Sequence, residues 1–154
     1  MLYLAYGSNL NKKQMSKRCP KARAIGKYIL SGHVLEFRRV ANIRKTTNLK
    51  DKIACGIWKI TESCERALDI YEGYPSLYGK KNIKLDDGRE VMTYFMNSGS
   101  IGPPSEEYLK IIEEGYKHFG LPNNLLFKNV WGVLIMEMFN EEIQNPNTNY
   151  FIFD

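Results

Sequence analysis

Hydrophobic and polar positions change their period several times along the chain, and each change marks an element. Leu2, Leu4 and Tyr6 alternate with Tyr3 and Ala5 before Gly7-Ser8-Asn9, which reads as a short strand running into a turn. Asn11 is suited to cap a short helix, Lys12 to Arg18, that Pro20 closes. Arg23 to Phe37 reads as one or two strands broken at Ser31-Gly32, whereas Val40 to Asp51 is polar, basic and aperiodic and reads as a loop. Ile53 to Ile60 alternates again, and Gly56 within it marks a bulge or a close approach to other backbone.

Thr61 and Ser63 open a short helix, Cys64 to Tyr71, that ends at Glu72-Gly73. Asn82 to Leu85 and Glu90 to Asn97 flank Asp86-Asp87-Gly88, a hairpin signal. The clearest helix follows. Ser105 caps it, Glu106 and Glu107 suit its positive end, and Tyr108, Ile111, Ile112, Tyr116 and Phe119 keep one face apolar up to Gly120-Leu121-Pro122. Val130 to Phe139 reads as a last apolar strand, and Glu142 to Asp154 as an irregular tail. The expectation is one α+β domain over residues 1–154, strands in the majority, with its core at about 2–139 and no repeat or low-complexity segment.

Composition narrows this further. At 154 residues the chain buries roughly 70% of its unfolded surface, so it needs no disulfide or metal staple. With 44% hydrophobic and 25% charged residues it is not a disordered chain. Its most apolar run, Trp131 to Phe139, is interrupted by Glu137 and falls far short of the ~20 residues of a membrane span. Met-Leu-Tyr-Leu-Ala-Tyr at the start lacks the basic region of a signal peptide. Cys19, Cys55 and Cys64 form no C-x-x-C pair, so they are expected as free thiols in a reducing cytoplasm. His33 and His118 stand far apart, expected on a strand surface and a helix surface, and no zinc spacing exists.

Charge is unevenly spread. Residues 1–59 hold 14 Lys or Arg against Glu36 and Asp51, a balance of +12, while residues 60–154 hold 8 against 15 acids, a balance of −7. Such a split suits a nucleic-acid surface or a funnel for anions, and equally a plain solvated basic face. The basic third lacks the interleaved aromatic and Arg/Lys platform of nucleic-acid binders, so that partner is disfavoured.

Two segments carry candidate chemistry. Tyr6-Gly7-Ser8-Asn9-Leu10 lies between a strand and a helix, where successive N–H groups can cradle a carboxylate or an oxyanion; such turns are also common structural features. It matches neither a P-loop nor a G-x-G-x-x-G fingerprint. Glu72 stands at a helix end among Tyr71, Tyr74 and Tyr78, beside Gly73 and Pro75. A carboxylate among rings is either a general acid–base of raised proton affinity or an ordinary surface Glu.

Taken together, the two segments resemble the gamma-glutamylcyclotransferase-like family, whose members run a strand into Tyr-Gly-Ser-Asn-Leu and place one catalytic Glu in a mid-chain Glu-Gly. Three further matches fall in order: Gly56-Ile57-Trp58, Pro104-Ser105-Glu106-Glu107-Tyr108 and Gly120-Leu121-Pro122. The resemblance runs from about Leu2 to Leu126. The step from Glu72 to Tyr78, with Pro75 between, is similar to the gamma-glutamylamine cyclotransferase branch. That branch often has Arg two residues after the Tyr, where this chain has Lys80, a point charge in place of a planar fork.

The resemblance implies a small, partly closed mixed β-barrel flanked by helices. It also implies a cofactor- and metal-independent enzyme, in which the α-amine of a γ-glutamyl group attacks its own γ-carbonyl, giving 5-oxoproline and a free amine. Glu72 would be the general acid and base. The N–H groups of Gly7, Ser8, Asn9 and Leu10 would hold the α-carboxylate or the developing oxyanion. Tyr6 would line the pocket, and Tyr78 and Tyr108 would hydrogen-bond Glu72 or the substrate. Two other readings stay open: a sequestering protein that binds a small ligand on the same fold without turnover, and a nucleic-acid-associated module.

Overall fold

Strand β1 (Leu2–Ala5) is only four residues long, yet it lies at the centre of the molecule. The computed structural model describes residues 1–144, of which 141–144 are known by backbone course alone. In it β1 sits mid-sheet among β2 (Arg23–Ser31), β5 (Lys52–Lys59), β6 (Tyr78–Lys84) and β7 (Glu90–Met96), in the order β2-β5-β1-β7-β6. β1 runs parallel to β7, and the other pairs are antiparallel, so the sheet is mixed. A second sheet has two strands, β3 (His33–Arg38) and β4 (Val40–Lys45).

Helix α1 (Lys12–Arg18) is capped by the Asn11 side chain, which accepts from the amides of Lys13 and Gln14. Thr61 caps α2 (Glu62–Glu72), and Gly73 ends it in the left-handed region at φ 64°, a conformation that glycine adopts without a Cβ penalty. Ser105 caps α3 (Glu106–Phe119), which ends the same way at Gly120. The core joins Leu4, Leu10, Ile57, Leu68, Val91 and Ile112 from both faces of the sheet and from the helices.

Four expectations are corrected. Val40 to Lys45 is a strand, paired with β3 residue for residue from His33↔Lys45 to Arg38↔Val40; Ala41, polar Asn42 and Ile43 are buried in succession, so no alternation stands out. Val130 to Phe139 is no strand but the middle of α4 (Asn123–Gln144), because a continuous apolar run carries no period to tell the two apart. Glu142 to Gln144 continue that helix; the rest of the expected irregular tail lies outside the described residues. Finally, the sheet does not close: β2 and β6 are its two free edges, so the implied barrel is an open, curled sheet.

Glycine positions explain the tight packing beside β1. A Cβ on Gly56 would lie 2.7 Å from the Phe119 ring, and one on Gly115 would lie 2.7 Å from the backbone carbon of Leu10. The irregularity once expected at Gly56 falls on the partner strand, between Ala24 and Gly26. His33, expected at a strand surface, is buried at 7% exposure, and all three cysteines are buried and free. No helix among the described residues is long and apolar enough to cross a membrane.

Candidate active site

The chain leaves β1 at Tyr6 and turns at Gly7 into a single 3₁₀ turn, Ser8–Leu10. A Cβ on Gly7 would meet Ala41 Cβ at 3.0 Å and the Tyr108 hydroxyl at 3.3 Å, so any larger residue would push β4 or Tyr108 back by a few tenths of an ångström. On the other side α2 ends at Glu72. The turn and the helix end face each other across a cavity of about 140 Å³. Its walls include Tyr3, Tyr6, Gly7, Ser8, Asn9, Val40, Ala41, Tyr71, Glu72, Leu77, Tyr78, Tyr94 and Tyr108. This is small beside the ~300–1,000 Å³ of pockets that enclose drug-sized ligands, so it suits one compact head group.

Asn9 organises the cavity. Its Nδ2 donates to Glu72 Oε1 at 3.1 Å and to the Tyr3 hydroxyl at 3.0 Å. Its Oδ1 accepts from Arg18 Nη1 at 2.7 Å, and its backbone carbonyl accepts from Trp58 Nε1 at 2.9 Å. Arg18 in turn lies 3.6 Å over the Tyr71 ring. Burial lifts the Glu72 carboxyl from its ordinary 4.5 to about 7, while the Arg18 charge and the Asn9 hydrogen bond pull it back down. A carboxylate in the last turn of a helix also meets the negative end of the helix dipole, which works in the same direction as burial. Glu72 is the one acidic side chain in the wall, and its Oε2 has no recorded partner among the described residues.

The phenols are held as neutral donors. Burial pushes Tyr3 and Tyr6 well above the ordinary tyrosine value, raises Tyr78 strongly, and lifts Tyr108 to about 12. Tyr6 donates to the Tyr94 carbonyl at 2.8 Å. Tyr78 donates to the Ala41 carbonyl at 2.8 Å, and the Tyr108 oxygen accepts from the Ala41 amide at 3.1 Å. These two tyrosines therefore clamp β4 rather than Glu72, contrary to one of the two roles expected for them. The Tyr108 hydroxyl still has its own hydrogen to give.

Most of the expected site residues converge on this cavity: Tyr6, Gly7, Ser8, Asn9, Glu72, Tyr78 and Tyr108. Leu10 does not. Its side chain is buried in the core and its amide donates to the Gly7 carbonyl at 3.0 Å, so it closes the turn and lines no wall. The amides of Ser8 and Asn9 have no recorded acceptor among the described residues. Lys80 is also absent from the wall; it donates to Glu65 at 2.9 Å and Asp69 at 3.0 Å, tying β6 to α2. Arg18, Tyr3 and Tyr94 were not foreseen. Arg18 is one cation among fourteen in its third of the chain, and the strand alternation set Tyr3 on the face opposite Tyr6. Both tyrosines reach the cavity because β1 ends at Ala5 and Tyr6 is already turning. Among the described residues no three His, Cys, Asp or Glu side chains converge as metal ligands.

Comparison with known proteins places this geometry. Residues 3–117 match the family described as gamma-glutamyl cyclotransferase, AIG2-like. The human gamma-glutamylcyclotransferase is 31% identical over 138 residues, covering 79% of this chain and 72% of that protein. The mouse protein of the same name is 30% identical over the same shares. A solved structure described as gamma-glutamyl cyclotransferase superposes with a TM-score of 0.70 at 25% identity, covering 100% of this chain and 92% of the other. The matched span, residues 3–117, runs across the stretch of chain that forms the cavity, and the chain belongs to the gamma-glutamyl cyclotransferase, AIG2-like family.

Proposed function

We propose that the protein is a cyclotransferase that converts a γ-glutamyl amine or γ-glutamyl amino acid to 5-oxoproline and the free amine. The observation that carries this reading is Glu72: a half-buried carboxyl lifted to about 7, held by Asn9 through one oxygen, in the wall of a tyrosine-lined cavity. A group poised near neutral pH serves as base and acid in turn.

The substrate's α-ammonium gives a proton to Glu72 and becomes a nucleophile. Its nitrogen attacks the γ-carbonyl carbon, a C–N bond forms, and negative charge gathers on the carbonyl oxygen. The bond to the departing amine then breaks. The two protons that the attacking nitrogen surrenders reappear on the leaving amine, which departs as an ammonium ion, so Glu72 ends as it began. Because the attack is intramolecular, holding a ring-like conformer lowers the barrier by several kcal/mol. The amides of Ser8 and Asn9 and the Tyr108 hydroxyl are the available donors for the α-carboxylate or the oxyanion. The cavity holds the glutamyl half and leaves the amine outside, so head-group recognition is strict and the leaving half is read more loosely. The step from Glu72 to Tyr78 resembles that of the gamma-glutamylamine cyclotransferase branch, while the curated relatives carry the broader cyclotransferase name.

The test follows 5-oxoproline by mass spectrometry from a panel of γ-glutamyl amines and γ-glutamyl amino acids, with the Glu72→Gln variant alongside. Turnover is expected from at least one member, with a loss of about 10²-fold or more in the variant. Turnover that survives the substitution would remove Glu72 from the chemistry. Ligand binding without product, in the native protein, would favour the sequestering role.

A further inference from the structure

A second cavity, of about 370 Å³, lies where the curled sheet fails to close. Both free edges of the five-stranded sheet reach it: β2 through Tyr28, Leu30 and Ser31, and β6 through Lys81 to Lys84. The β3–β4 pair closes a further side with His33 and Lys45, which face each other in register. The Asp86 amide, in the β6–β7 turn, is 3.2 Å from the Tyr28 hydroxyl and bridges the two edges at one end of the gap.

The charge in this gap is one-sided. Lys45, Lys81 and Lys84 contribute to its lining against one carboxylate, that of Asp86, which is exposed. No ion pair to any of the three lysines is recorded among the described residues, whereas Lys80, on the face of β6 opposite Lys81, holds two. The Lys81 ammonium is half-buried and lies 5.7 Å from the Phe95 ring centroid. Burial, and then the neighbouring Lys45 charge, lower its proton affinity, the mark of like charges brought together without a counter-ion.

His33 adds a directed group. Its Nδ1 is 2.9 Å from the Ser31 carbonyl, and a carbonyl only accepts, so Nδ1 carries the hydrogen. Nε2 has no recorded partner among the described residues. Among the described residues no fully buried side-chain nitrogen or oxygen lacks a partner, so Nε2 is not fully buried, and the ring lines the cavity. The ring is buried and tied to Ser31, with Lys45 and Lys81 sharing the wall. Buried Leu30 and Leu85 supply an apolar floor beneath.

We infer that this seam is a binding site for a small phosphate-bearing anion, held by Lys45 and Lys81 with His33 Nε2 against one of its oxygens. The site is separate from the Glu72 cavity: no residue is shared between the two walls, and the inference does not depend on the proposed reaction. A dianion would supply the missing counter-charge. A neutral ligand would leave the lysines opposed, and a single carboxylate would satisfy fewer of the donors.

The test is a titration of the full chain with orthophosphate and with adenosine 5′-monophosphate at low salt, read by calorimetry and by NMR of the histidine ring nitrogens. The chain has only two histidines, so His118 serves as an internal control. Burial and then the Lys81 and Lys45 charges hold His33 below its ordinary range, partly offset by its bond to Ser31; Tyr28, Lys84 and Asp86 complete the titratable groups of the wall. Anion binding is expected to raise the His33 proton affinity and leave that of His118 unmoved, since proton and anion binding are linked. Lys45→Gln and Lys81→Gln are each expected to weaken binding by about tenfold, the scale of one charge-assisted contact. Lys45 is exposed, so its variant folds in any case, and an unchanged thermal melt qualifies the Lys81 variant. No perturbation of His33 by either ligand, or equal affinity in the Lys45→Gln variant, would overturn the inference. So would binding of a single-stranded oligonucleotide with none of the mononucleotide, which would assign the cations to a polymer surface.

Discussion

At the scale of single residues, Glu72 couples stability to the proposed chemistry through its proton. Its carboxyl titrates near 7 in the folded protein, against an ordinary 4.5, so between these values the folded state holds more protons than the unfolded one. Its contribution is therefore fully favourable below about 4.5 and is lost as pH rises through about 7. The Glu72→Gln variant should melt higher than the native protein at pH 8, by an amount worth about 1–3 kcal/mol, and the gap should vanish at pH 4. Thermal melts at the two pH values check this, and equal curves at both would mean that the carboxyl is not desolvated. Asn9 sets the same proton from the other side. Asn9→Ala removes a hydrogen bond that favours the charged carboxylate and also releases Arg18, so the Glu72 limb of the kcat/KM profile should move to higher pH. Turnover at pH 7 should fall about tenfold or more. An unmoved limb would show that Asn9 is structural only. The turn at residues 6–9 and the helix end at Glu72-Gly73 were legible in the sequence as chain reversals, and only the family resemblance joined them as one candidate site. Arg18 was not, because its role exists only once α1 folds back on the turn.

At the scale of elements, the placement of α2 decides where Glu72 points, and Lys80 does much of the placing. It joins β6 to Glu65 and Asp69, one helical turn apart, and Asp69 also accepts from the Tyr94 hydroxyl at 2.6 Å. Lys80→Met is expected to cost about 1–3 kcal/mol, because it leaves two partly buried carboxylates without their cation. It should leave KM nearly unchanged, since Lys80 touches no wall of the cavity; denaturant melts and steady-state kinetics separate the two outcomes, and a KM raised about tenfold would restore a substrate contact for this lysine. Elements with a cap and a period were readable from sequence: α1, α2 and α3 start within a residue or two of where Asn11, Thr61 and Ser105 predict. β4 and α4 were not. In β4 Ala41, Asn42 and Ile43 are buried in succession, one of them polar, so no alternation announces a strand. In α4 the run from Val130 is apolar on every side, and Trp131, Ile135, Met136 and Phe139 remain exposed, so no face stands out.

At the scale of the whole molecule, the cavity has one wall that the main sheet does not supply. β1, β5 and β7 are braced on both sides, but the β3–β4 pair, which brings Val40 and Ala41 to the site, forms a sheet of its own. Its attachment near the site is polar: Tyr78 to the Ala41 carbonyl, the Ala41 amide to Tyr108, and the Met96 amide to Asn42 Oδ1 at 2.8 Å. The pair also buries Leu35, Phe37, Ala41 and Ile43 in the core, yet as two strands outside the main sheet it opens more readily than a central strand, which would let the proposed substrate enter. Tyr108→Phe removes the acceptor of the Ala41 amide without emptying the space. Each such bond is worth about 1 kcal/mol, so hydrogen exchange at Ala41 should quicken by about fivefold to tenfold. Exchange at Ile57, in the centre of the main sheet, should not change, because that strand opens only with the whole fold. Equal acceleration at both amides would mean that the two sheets open together, and the wall could then admit substrate only at the cost of global unfolding.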